Sequence, residues 1–175
     1  MANILIAYST TDGHTRKICE RITRLLETRD HTVTLSFIND NPDIDLAPFD
    51  KVVIGASIRY GKHRPQVFEF IRKHQQQLES KPNAFFSVNV VARKAEKNQP
   101  ETNPYMQKFL KKIAWQPRML AVFAGRINYP IYTVWDRLII RFIMWMTKGP
   151  TDPRAVVEFT DWNKVDEFGR SIAAM

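Results

Sequence analysis

Five short stretches dense in apolar or β-branched residues recur along the chain, separated by longer segments whose apolar residues return every three or four positions. Residues 3–8 predict a buried strand, and 14–28 a helix with Ile18, Ile22, Leu25 and Leu26 on one face. Over 31–37, Val33, Leu35 and Phe37 alternate with Thr and Ser, the period of a strand. After a turn-rich connection at 42–48, the run Asp50-Lys-Val-Val-Ile-Gly-Ala-Ser predicts a third strand that runs into a loop. Pro65 suits the first turn of a helix containing Val67, Phe68, Phe70 and Ile71. A fourth strand follows at 84–91, then a polar, basic loop over 92–103, a helix over 105–113, a turn at Trp115-Gln-Pro-Arg and a fifth strand at 119–124. The last helix follows Phe159-Thr-Asp-Trp, with Thr160 or Asp161 as its cap, and ends near Ala173.

Strands that alternate with helices and are nearly continuous in apolar residues predict a parallel α/β sheet covered on both faces. The length of 175 residues suits one domain with a sizeable core. Residues at about 126–155 fall outside the alternation and read as an insertion before the last helix. Within 129–148, Val134, Trp135, Leu138, Ile139, Phe142, Ile143, Trp145 and Met146 follow helical spacing and predict a broad apolar face. Thr133, Arg137, Arg141 and Lys148 fall opposite, where Ile140 and Met144 intrude. The segment is too short and too charged to cross a bilayer. Its Trp and Arg content suits a helix lying in a membrane interface, basic side chains near anionic headgroups; the alternative is packing on the protein's own sheet or a partner subunit.

The 44% apolar fraction fits a packed globule. One cysteine, Cys19, excludes a disulfide framework and a Cys-based zinc site and fits a reducing compartment. No basic segment precedes a long apolar stretch at the start, so no secretory leader is expected and the chain is expected in the cytoplasm. Four scattered histidines lack metal-ligand spacing, and no metal is expected. An excess of 26 Lys and Arg over 18 Asp and Glu, a net +8, favours anionic partners.

The loop after the first strand, Tyr8-Ser-Thr-Thr-Asp-Gly-His-Thr, carries the first chemistry. In a doubly wound sheet, ligands sit beyond the carboxyl ends of the strands. Gly13 relieves a tight turn, and the free N–H groups and dipole of the following helix favour an anion. Ser9, Thr10, Thr11 and Thr15 add hydroxyls, and His14 either touches the anion or is solvated. The Gly-Lys-Ser/Thr of a nucleotide-triphosphate loop is missing, and Gly13 alone cannot make a dinucleotide fingerprint. A phosphate monoester held by hydroxyls and amides remains.

This loop resembles the flavodoxin phosphate loop, Ser/Thr-x-Thr-Gly-x-Thr, with Asp12 inserted before the glycine so that the register of hydroxyls departs by one residue. The segments VVIGASIRYGKHRPQVFEFIRKH, FFSVNVVARKAEKNQPETNPY, YTVWDRLIIRFIMWM and FTDWNKV resemble the flavodoxin-type, quinone-linked protoporphyrinogen oxidases of bacterial haem synthesis, across essentially the whole chain. The resemblance implies a flavodoxin-like sheet of five parallel strands in the order 2-1-3-4-5. It implies FMN as cofactor, protoporphyrinogen IX as substrate and ubiquinone or menaquinone as acceptor. With the apolar helix at 129–148 outside the alternating scaffold, a quinone that lives in lipid leads to the expectation of peripheral attachment to the lipid surface of the inner membrane on its cytoplasmic side. FAD is disfavoured, because no second phosphate loop is visible.

Carried onto this chain, the resemblance assigns Ser9, Thr10, Thr11, Asp12, Gly13, His14 and Thr15 to the phosphate. It assigns two loops, Ser57, Ile58, Arg59, Tyr60 and Gly61, and Ser87, Asn89, Val90, Val91, Ala92 and Arg93, to the isoalloxazine. Tyr60 is the expected stacking face, Gly61 lets the backbone approach the ring, and Asn89 is placed to meet the pyrimidine edge. Arg59, Lys62, His63, Arg64, Arg93, Lys94 and Lys97 are expected to make a basic rim, suited to the two propionates of the porphyrinogen. No dominant catalytic acid or base is expected. Two other readings stand beside this one. A flavodoxin-type electron carrier is disfavoured by the +8 charge, since such carriers are typically acidic, and a nucleic-acid module lacks any motif. The oligomeric state is not legible.

Overall fold

The computed structural model describes residues 1–175. Strands β1 (Asn3–Ser9), β2 (Thr32–Phe37), β3 (Lys51–Ser57), β4 (Asn83–Asn89) and β5 (Met119–Ala124) form one parallel sheet in the order β2-β1-β3-β4-β5. This is the flavodoxin-like order expected from the sequence. β1, β3 and β4 are central and buried along almost their whole length, which is why they read as unbroken apolar runs rather than as alternation. Edge strand β2 keeps its alternating pattern.

Helices α1 (His14–Glu27) and α5 (Trp162–Ala174) cover one face, and α2 (Pro65–Ser80) and α3 (Pro104–Leu110) the other. Odd and even strand positions separate cleanly between the two layers. Ile4, Ile6, Val53 and Phe86 meet Ile18, Ile22 and Val165, while Leu5, Ile54 and Phe85 meet Val67, Phe70 and Phe109. Cys19 is a fully buried member of the first layer, where burial pushes its thiol pKa up. Asp161, one of the two expected caps, accepts from the N–H groups of Asn163 and Lys164. Lys51 closes the other end of α5, its Nζ donating to the carbonyls of Ile172 and Ala173 at 3.0 and 2.9 Å.

β4 stops at Asn89, two residues before the expected end. The β5 ladder finishes opposite Asn89 at Ala124, and Val90–Arg93 turns into a short 3-10 helix whose Ala92 N–H is held by the Asn89 side chain at 3.1 Å.

The insertion begins and ends in a two-stranded antiparallel ribbon, β6 (Arg126–Asn128) against β7 (Val156–Glu158). Between them lies α4 (Val134–Met146), whose N-cap Thr133 accepts from the Asp136 N–H. Ile127, Tyr129, Tyr132 and Met144 form its own small core, with Ile140 and Ile143 packed beside them. The apolar stripe expected from spacing does exist, but it faces solvent: Val134, Trp135, Leu138, Ile139, Phe142, Trp145 and Met146 are 43–76% exposed. Ile140 and Met144, which broke the polar side of the pattern, are instead the residues that turn inward, together with Ile143.

Candidate functional site

The site lies beyond the carboxyl ends of β1, β3 and β4. α1 begins at His14 with no side-chain cap, Gly13 holding the left-handed conformation at φ 79° that lets the chain enter the helix. The first N–H groups of α1 are thus free, and Thr10 Oγ1 accepts from the Gly13 N–H at 3.0 Å. Thr15 Oγ1 is buried without a hydrogen-bond partner, and so is His14 Nδ1. Buried hydroxyls are normally paired, so an unpaired one beside an uncapped helix start marks a place for an oxyanion. A cavity of about 50 Å³ opens there, walled by Thr10, Thr11, His14, Thr15, Ser57 and Arg126.

His14 is tied back into the scaffold. Thr160 donates to the Ala124 carbonyl at 2.7 Å, so its oxygen accepts from His14 Nε2 at 2.6 Å. Burial pushes the His14 pKa down to about 4 against the opposing pull of Glu158. His63, expected on the basic rim, is instead buried against Phe68, Phe85 and Phe109, with Nε2 bonded to Ser87 Oγ at 3.0 Å and its pKa pushed by burial to about 4. The turn that precedes it carries the chain back into the layer under α2.

Both rings are therefore neutral in the folded chain at pH 7, whereas an unfolded histidine takes its proton near pH 6.5. Between those values the unfolded state binds more protons, so stability is full above about pH 6.5 and falls as pH drops towards 4. Melting temperature against pH is expected to be flat from pH 8 to 6.5 and then to decline, and His63→Leu to remove part of that decline.

The loop after β3 is a tight reversal. Arg59 and Lys62 exchange N–H···O bonds at 2.9 and 3.1 Å across Tyr60 and Gly61, which sit at φ 51° and 74°, the type I′ geometry. Glycine takes that conformation freely, but tyrosine does so only with strain of order 1–3 kcal/mol. The exposed ring of Tyr60 is thereby held out at the mouth of the groove.

Arg59 is not a free rim charge. Its guanidinium bridges Asp12 in the loop after β1 at 3.0 Å and Asp136 on α4 at 3.2 Å, and lies over the Tyr132 ring at 4.9 Å. Arg93 donates to the Val90 carbonyl at 3.1 Å and to the Thr147 carbonyl at 2.9 Å, fastening the end of α4 to the second loop. Arg64 reaches Thr11 Oγ1 at 3.4 Å. Lys62 and Lys94 make no ion pair.

The Asn89 side chain is fully engaged inside its own loop. It donates to Ser87 Oγ and Asn103 Oδ1, and accepts from Ala92 N–H and Asn103 Nδ2. Ser87, Asn89 and Ala92 are buried; they shape the loop, while Ile58, Val90 and Val91 line a cavity of about 120 Å³ under α4. That cavity runs on into the notch at the start of α1 through Asp12, Ile58, Asn89, Val90 and Arg126. Its roof is Tyr132, Ile140, Ile143 and Met144, and one wall is Tyr105. Sequence reading missed these and Arg126. The one local signal concerned Asn103, which stands before Pro104 in the N-cap-then-proline pattern of a helix start and does cap α3.

The chain matches the family model of the flavodoxin domain over residues 5–154. Its relatives include the protoporphyrinogen IX dehydrogenase [quinone] of Escherichia coli strain K12, 44% identical over 97% of this chain and 93% of that protein. The protein of the same name from Leishmania major is 43% identical over 98% of this chain and 74% of its own length. Among solved structures, two-electron reduced Megasphaera elsdenii flavodoxin superposes with a TM-score of 0.57 at 12% identity, covering 98% of this chain and 99% of that one. Oxidised flavodoxin 1 from Bacillus cereus gives 0.53 at 13% identity over 98% and 97%. The chain is a member of the flavodoxin-domain family and, within it, belongs with the protoporphyrinogen IX dehydrogenases [quinone]. The fold is that of a flavoprotein, and the relatives at this identity are oxidoreductases.

Proposed function

We propose that this chain oxidises protoporphyrinogen IX to protoporphyrin IX with FMN as its cofactor, and passes the electrons to a respiratory quinone at the cytoplasmic face of the inner membrane. The observation that carries the reading is the likeness to dehydrogenases of that name over nearly the whole chain. The uncapped α1 terminus, the unpaired Thr15 hydroxyl and Arg126 fit a phosphate monoester, and the groove under α4 fits a flat apolar ring. When bound, a flavin supplies two-electron acceptor chemistry, which the full oxidation needs three times over.

The residues present do the positioning. Ser9, Thr10, Thr11, Gly13 and Thr15 would hold the phosphate, with His14 contributing its backbone N–H, since its ring N–H is given to Thr160, and Arg126 neutralising the charge from β6. Ile58, Tyr60, Gly61, Val90 and Val91 would flank the ring, and Ile140, Ile143 and Met144 would keep water from one side of it. The carboxylates of Asp12 and Asp136 are engaged by Arg59, and His14 and His63 stay neutral, so no side chain in the groove stands ready as a strong acid or base.

The outer side of α4 supports the membrane assignment. Seven large apolar side chains exposed along one helical face form a patch of the kind that soluble monomers rarely carry, with the exposed Lys148 at the end of the helix to meet anionic headgroups, while Arg137 and Arg141 turn to the insertion's own carbonyls. No helix of the chain is long and apolar enough to cross a membrane. A helix lying in the interface would place its inward side chains, and the groove they roof, next to a lipid-soluble quinone.

The test uses purified yellow protein, protoporphyrinogen IX under nitrogen and a quinone, with porphyrin fluorescence as the readout. Quinone-dependent appearance of fluorescence is expected. Ready one-electron exchange with a reductase and no porphyrin formed would instead identify an electron carrier.

A further inference from the structure

A second and larger cavity, about 340 Å³, lies between α2 and α3 and shares Ile58, Gly61 and Tyr105 with the groove under α4. Its edge carries Lys62, Arg72, Lys108 and Lys112 against a single acid, Glu69. None of the four cations makes an ion pair or a hydrogen bond to another side chain. Arg59 and Arg93, by contrast, are already committed to bonds within the protein. Four like charges around one concavity repel one another and focus a positive potential into it, which an anion relieves.

The floor is not polar. Phe68 and Phe109 line it, Phe109 stacks on Phe85 at 4.1 Å between centroids, and the buried His63 ring closes the bottom. Lys112 Nζ lies 5.9 Å from the Phe68 ring centroid. Inorganic phosphate would answer the cations but leave the aromatic floor uncovered. A flat apolar body with two carboxylates at one edge answers both.

We propose that this α2–α3 cavity is the carboxylate-binding half of the substrate site, in which Lys62, Arg72, Lys108 and Lys112 take the paired propionates of the tetrapyrrole while its macrocycle reaches across Gly61 and Tyr105 to the groove. The inference rests on the porphyrinogen reading above and moves the propionate contacts from the Arg59–Arg93 rim to a different wall. Substrate would then enter between α2 and α3, on the other side of the Tyr60–Gly61 turn from the membrane helix, so porphyrinogen and quinone would approach from different directions.

The test compares binding of protoporphyrin IX and of its dimethyl ester to the FMN-loaded protein, followed by quenching of porphyrin fluorescence at low salt. The wild type is expected to prefer the diacid by about tenfold, the sum of several weak, partly exposed ion pairs. The quadruple variant Lys62→Gln, Arg72→Gln, Lys108→Gln, Lys112→Gln should lose that preference with ester affinity and flavin content unchanged, whereas Lys111→Gln, an exposed neighbour outside the cavity, should keep it. Retention of the preference by the quadruple variant overturns the inference, as does a wild type that binds acid and ester alike. If wild type oxidises porphyrinogen but the preference ignores these cations, only the cavity assignment falls; if it neither binds nor oxidises the compound, the function falls too. Should the quadruple variant melt early, Lys108→Gln with Lys112→Gln alone must still lower the preference measurably.

Discussion

Leu138→Ser, Phe142→Ser and Trp145→Ser combined should release the protein from anionic liposomes, with affinity falling by about three orders of magnitude. Each large apolar side chain moved from water into the interface contributes on the order of 1.5 kcal/mol, and three such losses at roughly 1.4 kcal/mol per tenfold give that figure. All three side chains are more than half exposed in the free protein, so their removal costs little folding stability. The inward anchors of α4, Met144 with Ile140 and Ile143, are untouched. Melting temperature and bound flavin should therefore hold while liposome sedimentation and quinone turnover fall together. Loss of flavin or of the folded state in the triple variant would show that the stripe serves the protein's own core.

Thr15→Val is expected to move two quantities in opposite directions. Its hydroxyl is buried and has no partner among the protein's own groups, and a buried hydroxyl left without one costs about 1–3 kcal/mol. Replacing that oxygen by a methyl of similar shape should raise the melting temperature of the flavin-free protein by about 3 °C. The same change removes a donor to a phosphate, and FMN affinity should drop at least tenfold, by roughly the 1.5–3 kcal/mol of a hydrogen bond to a charged group. Calorimetric melting and flavin titration on one preparation check both. A fall in both quantities would mean that Thr15 is an ordinary structural residue.

The sheet was legible because strands buried on both faces leave long apolar runs, and the helices between them keep a clear period. β6 and β7 were not, since three residues per strand, only partly buried, generate no pattern. Arg126 was lost with them: it looked like the start of an insertion, and its place beside the loop after β1 follows from a partner, Glu158, far along the chain. Val90 and Val91 read as strand by composition, but their lack of a neighbour beyond Ala124 decided otherwise. Asn89 was expected at the pyrimidine edge and Asn103 showed only the pattern of a helix cap, and only the fold brings the two into reciprocal hydrogen bonds that use up the Asn89 side chain. His63 stood among cations and so looked solvated, although the reversal at Tyr60–Gly61 delivers it into the core. For the insertion, periodicity identified the apolar stripe correctly and could not say which way it would face.

The ribbon at the base of the insertion brings Arg126 and Glu158 opposite one another, about 5 Å apart as antiparallel partners are. Everything between them leaves and rejoins the sheet through one narrow stem, and a turn of about two residues could bridge the same gap. The scaffold is thus topologically complete without the appendage, and the appendage could be transplanted onto another member of the fold by splicing at that stem. What would not travel with it are the Arg59–Asp136 and Arg93–Thr147 ties. A recipient needs an arginine at both places before the grafted helix would sit over its groove.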